Sequence, residues 1–305
     1  MLIRLLGTLL LFAVYVTSSA YAQDAALHSK TDVIVIPKPV EGTEPLHSYL
    51  QKILDAALVA TQKQYGVMTV HKSPFISTQA RQFRQLNDGS VDLIWSITTD
   101  DRELHYQAIP FPLFGMLFSY RVLAINQNDS RFSSSLSLNE LKQLKTVQGY
   151  DWPDLKMLEE NGFNVKPSEY TLAFRLLENK FIDYFPRSVI EVCDELSLHP
   201  LLHVSEHQLL HYPNVMYFFM KKGKEQLASR IETGLMIIYR QGTLLKILQE
   251  QPFFKQALAL THDRHIFELK SPVSQGLYIL EHPFNLDVQR LIQQQKSSSK
   301  NACLY

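Results

Sequence analysis

The chain has 305 residues, of which 30 are Lys or Arg and 30 are Asp or Glu, so its formal net charge is zero. This balance does not provide the basic surface with which proteins attract nucleic acids or anionic membranes. Hydrophobic residues make up 46% of the sequence, as in ordinary globular proteins, and a chain of this length usually forms two lobes or domains.

The first twenty-two residues have the pattern of a cleavable secretory signal. Arg4 precedes an apolar run at 5–16, and the small residues Ser19, Ala20 and Ala22 suit cleavage after Ala22. A retained membrane anchor is the alternative, but the run is shorter than the roughly 20 residues that a spanning helix needs. We therefore expect an exported protein that is free of the membrane, with a formal charge of 29 − 30 = −1 after cleavage.

Strand and helix signals alternate along the first part of the mature chain. Short β-branched runs favour strands, and apolar residues three or four positions apart favour helices. The predicted order is strand 32–37, helix 46–65, strand 67–70, helix 78–86, strand 91–96 and then a loop at 98–112. This alternation is typical of a mostly parallel sheet with helices on its faces.

A second alternating series follows an extended run at 116–126. The predicted order is helix 138–142, strand 145–149, helix 153–161, strand 165–167, helix 170–179 and strand 182–185. A second extended run at 215–220 and a helix at 225–241 come next, and short helices and loops are expected up to residue 287. The predicted fold class is α/β, with two lobes that each contain a mostly parallel sheet flanked by helices.

The end of the chain is polar and low in complexity. Residues 288–305 include the run Gln-Gln-Gln-Lys-Ser-Ser-Ser-Lys, which predicts a disordered tail. The mature chain has two cysteines, Cys193 in a structured stretch and Cys303 in the tail. Because the second lies in the predicted tail, we do not expect them to form a disulfide.

Four segments resemble the type II periplasmic solute-binding proteins related to polar amino-acid-binding proteins, solute-binding family 3. They are LNDGSVDLIW with ITTDDR between 86 and 102, the segment 141–149, LENKFIDY at 177–184, and YFFMKK at 217–222 with QGT at 241–243. The likeness lies in their joint order across about residues 31–249. It implies two α/β lobes that are joined by two extended crossings and close on a small solute.

The resemblance also implies a domain layout. The extended runs at 116–126 and 215–220 lie where the two crossings of such a protein would leave and re-enter the first lobe. The first lobe would then comprise residues 31–119 and 217–287, and the second lobe residues 120–216. Closure of two such lobes about a hinge is a common way to couple binding to shape.

The resemblance places Arg102 where the family binds the carboxylate of its ligand, four residues beyond Thr98. A guanidinium suits this role because its planar fork can form two parallel hydrogen bonds with a carboxylate. The loop also follows the carboxyl end of a predicted strand, where α/β sheets bind ligands. The alternative is a surface arginine paired with Asp100 or Asp101.

In the second lobe, Gly149 and Tyr150 stand where the family has a glycine-led turn into a helix that meets the carboxylate of the ligand. Pro153 suits the first position of that helix, and helix N-termini attract anions. Asp151 would compete with an anionic ligand, and we expect it to cap the helix instead. Trp152 is a candidate either to stack on a solute or to fill the rim of the cleft.

The sequence departs from the family pattern around Arg187 and Ser188. Related proteins have an acidic residue at the position of Ser188, which holds the ammonium group of an amino acid. A buried ammonium without a partner costs several kcal/mol, so an α-amino acid ligand is in doubt. Arg187 instead offers a second cation, which would favour an acidic solute. The alternative is that Arg187 faces solvent or pairs with Glu191.

Several aromatic residues are candidates either for the cleft wall or for the core: Trp95, Phe75, Phe111 and Tyr184. Four histidines recur at every fourth position, namely His199, His203, His207 and His211. On one continuous helix they would form a ridge able to bind metal, but the surrounding residues also favour a strand. We therefore expect surface histidines, and neither a metal site nor a cofactor.

Together these features predict a monomeric, non-enzymatic solute-binding protein of the periplasm. It would close on a small polar or acidic solute and serve the permease of an ABC transporter or a membrane sensor, without contact to nucleic acid. One alternative is a dehydratase-like enzyme that uses Asp100, Asp101 or Asp151 as acid or base. A second alternative is an interaction module that has lost its ligand.

Overall fold

The computed structural model describes residues 32–270, 281–295 and 303. The signal peptide predicted for residues 1–22 lies outside these ranges. Within them, every helix is too short or too polar to cross a membrane.

Strands and helices alternate through most of the described chain, as the sequence predicts. The strands are β1 (Asp32–Ile36), β2 (Met68–Lys72), β3 (Leu93–Ile97), β4 (Gln107–Ile109), β5 (Tyr120–Asn126), β6 (Lys145–Gly149), β7 (Asn164–Ser168), β8 (Tyr184–Ser188), β9 (Leu202–His211), β10 (Met216–Met220) and β11 (His265–Glu268). The helices are α1 (Glu44–Tyr65), α2 (Gln79–Asp88), α3 (Asp100–His105), α4 (Leu138–Gln143), α5 (Pro153–Glu160), α6 (Tyr170–Glu178), α7 (Val192–Leu196), α8 (Glu225–Arg240), α9 (Thr243–Gln249), α10 (Pro252–Leu260) and α11 (Pro283–Gln294). The segment predicted as a loop at 98–112 contains α3 and β4.

The described strands form two main sheets and one separate pair. Sheet A has three strands in the order β3-β10-β4, sheet B has six strands in the order β11-β9-β5-β8-β6-β7, and β1 pairs with β2. In sheet B, β6 runs parallel to both β7 and β8, and β11 runs parallel to β9. Helices flank these strands, which gives the α/β class that the sequence predicts.

The apolar residues of helix α1 form the face that packs against the rest of the protein. Its residues Leu50, Ile53, Leu54, Ala57 and Leu58 are all buried and share one face. This face lies against α8, where Gly234 has so little room that a Cβ atom would lie 2.3 Å from the carbonyl oxygen of Ala57. Glycine at this position therefore allows the two helices to pack closely.

Two neighbouring segments connect sheet A to sheet B; they lie at the start of the predicted crossings, and most of each predicted run is instead a strand, β5 in sheet B or β10 in sheet A. The first is a 3-10 helix, Gly115–Ser119, which leads into β5, and the second is the stretch between β9 and β10. The Ser119 hydroxyl donates to the Asn214 carbonyl at 3.2 Å, and the Asn214 N–H donates back to it at 3.1 Å. The crossings therefore lie side by side.

Residues 265–268 differ from the predicted domain layout, which assigned them to the first lobe. They form β11, which pairs with residues 208–211 of β9 in sheet B. The physical reason is that β9 has ten residues and pairs with β5 along its other side, so its outer edge is open to a further strand.

The predicted disordered tail at 288–305 is wrong for its first residues. Phe284, Val288 and Ile292 recur at every fourth position and form a buried face of α11. This face packs on the 3-10 helix, where a Cβ atom at Gly115 would lie 2.7 Å from Val288. The glutamines that suggest low complexity therefore belong in part to an amphipathic helix.

Cys193 and Cys303 form a disulfide, so the prediction that they stay unpaired is wrong. Their Cα atoms lie 5.0 Å apart across a sequence separation of 110 residues. Cys303 was expected in a free tail. The buried face of α11 instead packs the preceding residues against the rest of the protein. The bond attaches residue 303 to α7.

Removing this disulfide is expected to lower the stability of the protein. A cross-link over so long a loop restricts the unfolded chain, and its loss costs about 2–5 kcal/mol. We predict that Cys303→Ser lowers the free energy of unfolding in urea by that amount under oxidising conditions. With a reductant present, wild type and variant should unfold alike. Equal stability under oxidising conditions would contradict a formed bond.

Candidate functional site

A cavity of about 310 Å³ lies between elements of sheet A and sheet B. One side comes from elements packed around sheet A and the other from the loops and helices at the ends of β6, β7 and β8. The lining side chains used below are His47, Gln79, Trp95, Met216, Tyr150, Asp151, Trp152, Glu169, Tyr170, Arg187, Glu191 and Glu195. We call this space the cleft.

A smaller cavity of about 100 Å³ continues the cleft inward. It shares five lining residues with the cleft, namely Gln79, Trp152, Arg187, Glu191 and Met216. Arg121 and Asp154 close its inner end. We call this space the inner pocket. Its charged walls distinguish it from an ordinary packing gap.

Arg187 is a buried cation that the protein itself neutralises. Its Nε donates to Glu195 Oε2 at 2.7 Å, and its Nη2 bonds the other oxygen of Glu195 and, at 3.1 Å, Glu191 Oε2. Tyr170 adds a 2.9 Å hydrogen bond to Glu195 Oε1. Of the alternatives left open by the sequence, the pairing with Glu191 is present, and Glu195 is an additional partner. Arg187 is therefore not the unpaired second cation that would favour an acidic solute.

Glu191 has one carboxylate oxygen without a hydrogen bond to the described residues. Its Oε2 accepts from Arg187, whereas Oε1 has no hydrogen bond among the described residues. Burial raises the pKa of Glu191 to about 7, although the positive charge of Arg187 acts to lower it. Because the residue lines both the cleft and the inner pocket, this carboxyl is placed to accept a hydrogen bond from a bound molecule.

A second buried ion pair lies at the inner end of the pocket. Arg121 Nε donates to Asp154 Oδ1 at 3.1 Å, and Tyr212 donates to the same oxygen at 2.5 Å. Within the described chain, Asp154 Oδ2 has no hydrogen bond. The side chains of Arg121 and Asp154 are 3% and 4% exposed, so this pair is held away from solvent.

Trp152 forms the aromatic wall of the cleft. Its ring lies 4.8 Å from the Arg187 guanidinium carbon and stacks at 6.4 Å on Phe185. Gly149 makes this position possible, because a Cβ atom there would lie 2.4 Å from the indole. Close packing of the Trp152 ring on residue 149 therefore explains why this residue is a glycine.

Trp95 and His47 line the opposite wall. Their rings meet edge to face with centroids 4.4 Å apart. Burial lowers the pKa of His47 to about 3, so the imidazole is neutral near pH 7. This wall is apolar and aromatic, and His47 adds no charge to it.

Arg102 is bonded to the protein through both terminal nitrogens. Nη1 donates to Ser96 Oγ at 2.5 Å and to the Ile97 carbonyl at 2.7 Å. Nη2 donates to Gln79 Oε1 at 2.5 Å and to the Asp151 carbonyl at 3.4 Å. Burial lowers its pKa to about 10, so it remains a cation at neutral pH. Arg102 does not pair with Asp100 or Asp101 in the described structure; its ligand role stays a prediction.

Asp151 does not cap α5, so that prediction is wrong. The cap position of α5 is Trp152, which makes no capping bond through its side chain. The Asp151 carboxylate instead reaches α2, where its Oδ2 accepts from the Ala80 N–H at 2.7 Å. Thr78, the cap residue of α2, makes no side-chain capping bond, so the N-terminus of α2 offers N–H groups to another acceptor.

The remaining predicted residues occupy varied positions. Thr98 is buried and bonds Glu103, and Ser188 is buried and bonds the Ile190 N–H, so both side chains are used locally. Tyr150 lines the cleft and is 46% exposed. Among the aromatic candidates, Phe111 and Tyr184 are buried in the core and Phe75 is exposed.

The four spaced histidines do not share a helix. His203, His207 and His211 lie on β9. His199 contacts Glu178 at 2.9 Å and stacks on a phenylalanine, and His211 contacts the carboxyl of Glu268 at 2.6 Å. The described residues include no group of three His, Cys, Asp or Glu side chains placed to hold a metal ion.

Sequence reasoning missed several cleft residues: His47, Gln79, Tyr170, Glu195 and Met216. Most lie on helices or strands whose pattern predicts only a core face. The sequence contains one indication of Glu195, because this acidic residue lies among the apolar residues of segment 192–196. A charged residue in such a position needs a partner, which here is Arg187.

Solved structures with this architecture are numerous. An ancestral arginine-binding protein bound to arginine is 16% identical, with a TM-score of 0.53 over 72% of this chain and 97% of that chain. A Salmonella typhimurium periplasmic binding protein with high arginine specificity is 12% identical, with a TM-score of 0.57 over 72% and 99%. The chain has the periplasmic-binding-protein fold. The same fold includes a histidine kinase sensor domain that is 15% identical, with a TM-score of 0.52 over 73% and 96%.

Likeness at these identities establishes the periplasmic-binding-protein fold and leaves the ligand open. No protein-family profile matches the sequence, and no curated protein matches it at a significant level. The function is therefore argued from the cleft itself.

Proposed function

We propose that the chain is a non-enzymatic solute-binding protein that closes two lobes on a small organic cation. The first lobe would be built on sheet A and the second on sheet B, with the crossings as the hinge. The observation that carries the proposal is the inner pocket, where Glu191 and Asp154 each keep one carboxylate oxygen without a bond to the described protein.

The charges of the cleft and inner pocket favour a cation. Their walls carry five carboxyl groups, Asp151, Asp154, Glu169, Glu191 and Glu195, against two guanidinium groups, Arg121 and Arg187. Asp154 and Glu195 neutralise the two arginines. Arg102, next to the cleft, balances Asp151. Two carboxyl groups, Glu169 and Glu191, therefore exceed the arginines, and a positive solute gains from their field. The acidic solute favoured by the sequence is therefore replaced by a cationic one.

The aromatic walls suit the same class of solute. Trp152 and Tyr170 lie on one side of the cleft, and Trp95 lies on the other. Ammonium and guanidinium groups bind to the faces of such rings, with an attraction of about 0.5–2 kcal/mol. Carboxylates at the inner end and aromatic rings along the sides would together orient an amine or a guanidine.

The cellular role follows from the secretory signal together with the fold. We propose a monomer in the periplasm that passes its solute to the permease of an ABC transporter or reports it to a membrane sensor. Structures with the same fold support the transport role and the sensing role, since they include the substrate-binding protein of an amino-acid ABC transporter and a sensor domain of a histidine kinase. The dehydratase alternative relies on three aspartates. Asp100 and Asp101 are exposed on α3 and do not line the cleft, and Asp151, which does, has its carboxylate bonded to the Ala80 N–H.

A thermal-shift panel tests the proposed function. The mature protein is heated with amines and guanidines, with amino acids, and with dicarboxylates, sugars and phosphates. A cation at a hundred times its dissociation constant should add about 2.7 kcal/mol of stability, which raises Tm by roughly 5–10 °C. Saturable stabilisation by cations without turnover is expected. Stabilisation by dicarboxylates alone, or product formation, would contradict the proposal.

A further inference from the structure

The two groups that would best bind a solute carboxylate near the cleft are already engaged. Among the described residues these are the Arg102 guanidinium and the N-terminus of the ten-residue helix α2. Asp151, from the sheet B side, contacts both: its Oδ2 accepts from the Ala80 N–H at 2.7 Å, and its carbonyl accepts from Arg102 Nη2 at 3.4 Å.

The hydrogen bonds of Arg102 leave little for a solute. Both terminal nitrogens already have two acceptors each, and one of those acceptors is a residue from the sheet B side. Burial lowers the pKa of Arg102, and nearby negative charges raise it. Among these charges, Asp151 has the largest effect. Arg102 and Asp151 are therefore electrostatically matched without any bound molecule.

The geometry points to Asp151 as a built-in substitute for the carboxylate of an amino acid, and hence to a solute that is an organic cation without a carboxylate. This inference rests on the proposed function and concerns the same cleft. The class comprises amines, diamines and guanidines. Asp151 would be the residue that determines specificity, because its carboxylate occupies the N-terminus of α2 and its negative charge next to Arg102 disfavours a second anion.

A carboxylate on the solute would meet an unfavourable environment. It would lie in a cleft where two carboxyl groups, Glu169 and Glu191, exceed the arginines, and it would have to displace Asp151 from Ala80. Arg187 has one nitrogen, Nη1, without a hydrogen bond in the described structure, but its charge is already matched by Glu195. That nitrogen suits a neutral hydroxyl or carbonyl acceptor.

Matched pairs of probes test the inference. Agmatine and arginine share the guanidinium and differ mainly in the carboxylate, as do cadaverine and lysine. Isothermal titration calorimetry on the mature wild-type protein should show at least tenfold tighter binding of agmatine and cadaverine. Arginine and lysine binding as tightly as their decarboxylated partners would overturn the inference while leaving the proposed function in place. If no amine, guanidine or amino acid bound, both would fail.

Variants at Asp151 locate the cause of the preference. Asp151→Ala frees the Ala80 N–H and removes the competing charge, so the ratio of agmatine to arginine affinity should fall at least tenfold. Asp151→Asn keeps an acceptor without the charge and should give an intermediate ratio. Asp101→Asn, on exposed α3, is the matched control and should leave the ratio unchanged. An unchanged ratio in folded Asp151→Ala would overturn the assignment to Asp151.

Discussion

Glu191→Gln is expected to weaken the binding of an organic cation about 30- to 1000-fold. The substitution keeps the shape of the side chain and removes the charge next to the oxygen that lacks a protein partner. Losing one member of a desolvated charge pair costs about 2–4 kcal/mol, which corresponds to this range of affinity. Arg187 keeps its two bonds to Glu195, so the fold should be unaffected. Calorimetry with the best cation from the panel measures the loss.

The matched control is Glu169→Gln. Glu169 also lines the cleft but is exposed at its rim, where water screens its charge, so this variant should lose less than about fivefold. Equal losses in the two variants, or no loss in Glu191→Gln, would show that the inner carboxyl is not the acceptor.

The pH dependence of binding provides a second measurement on Glu191. Burial raises its pKa to about 7, while Arg187 and Arg121 lower it and Glu195 and Asp154 raise it. The cation requires the carboxylate, so affinity should be fully present above pH 7 and should fall by about tenfold per pH unit below it. In Glu191→Gln this fall should disappear. A wild-type affinity that is constant between pH 8 and pH 5.5 would contradict the assignment.

Arg187→Met is expected to lower the free energy of unfolding by about 3–5 kcal/mol. Glu195 is 1% exposed, and without Arg187 the hydrogen bond from Tyr170 is the one that its carboxylate keeps among the described residues. A buried charge without its partner carries most of its desolvation penalty. Urea unfolding at pH 7.5, followed by circular dichroism, measures the difference.

Two further variants distinguish this cause from lost packing. Arg131→Met removes a cation that is 47% exposed and that pairs with Asp129 and Asp183, and it should cost no more than about 1 kcal/mol. The double variant Arg187→Met with Glu195→Gln removes the buried charge as well and should recover at least half of the loss. A double variant as unstable as Arg187→Met alone would assign the effect to packing against Trp152.

Local patterns were enough to predict most of the architecture. The alternation of strands and helices, and the spacing of Leu50, Ile53 and Leu54 on α1, depend on neighbouring residues only. The tail was mispredicted because the polar run of Gln and Ser concealed the buried face of α11. The disulfide was missed for a related reason, since pairing of Cys193 with Cys303 depends on a return of the chain that no local pattern reports.

The candidate site was predictable only in part. The segment from Tyr150 to Trp152 lines the cleft, because it follows the carboxyl end of strand β6, where α/β sheets leave residues accessible to ligands. The partners of the charged residues could not be predicted from the sequence, because they depend on the relative positions of helices and strands that are far apart in the chain. Asp151 illustrates this: its position before α5 suggests a local cap, whereas the folded chain places it against α2, 71 residues earlier.

We propose that this protein binds an organic cation in the cleft at Glu191. The most direct test is mass spectrometry of the protein after gentle extraction from the cells that produce it, under conditions that keep bound small molecules. We predict that wild type carries one amine or guanidine per chain and that Glu191→Gln, prepared in the same way, does not. A bound dicarboxylate or phosphate ester, or an amine retained equally by both proteins, would contradict the claim.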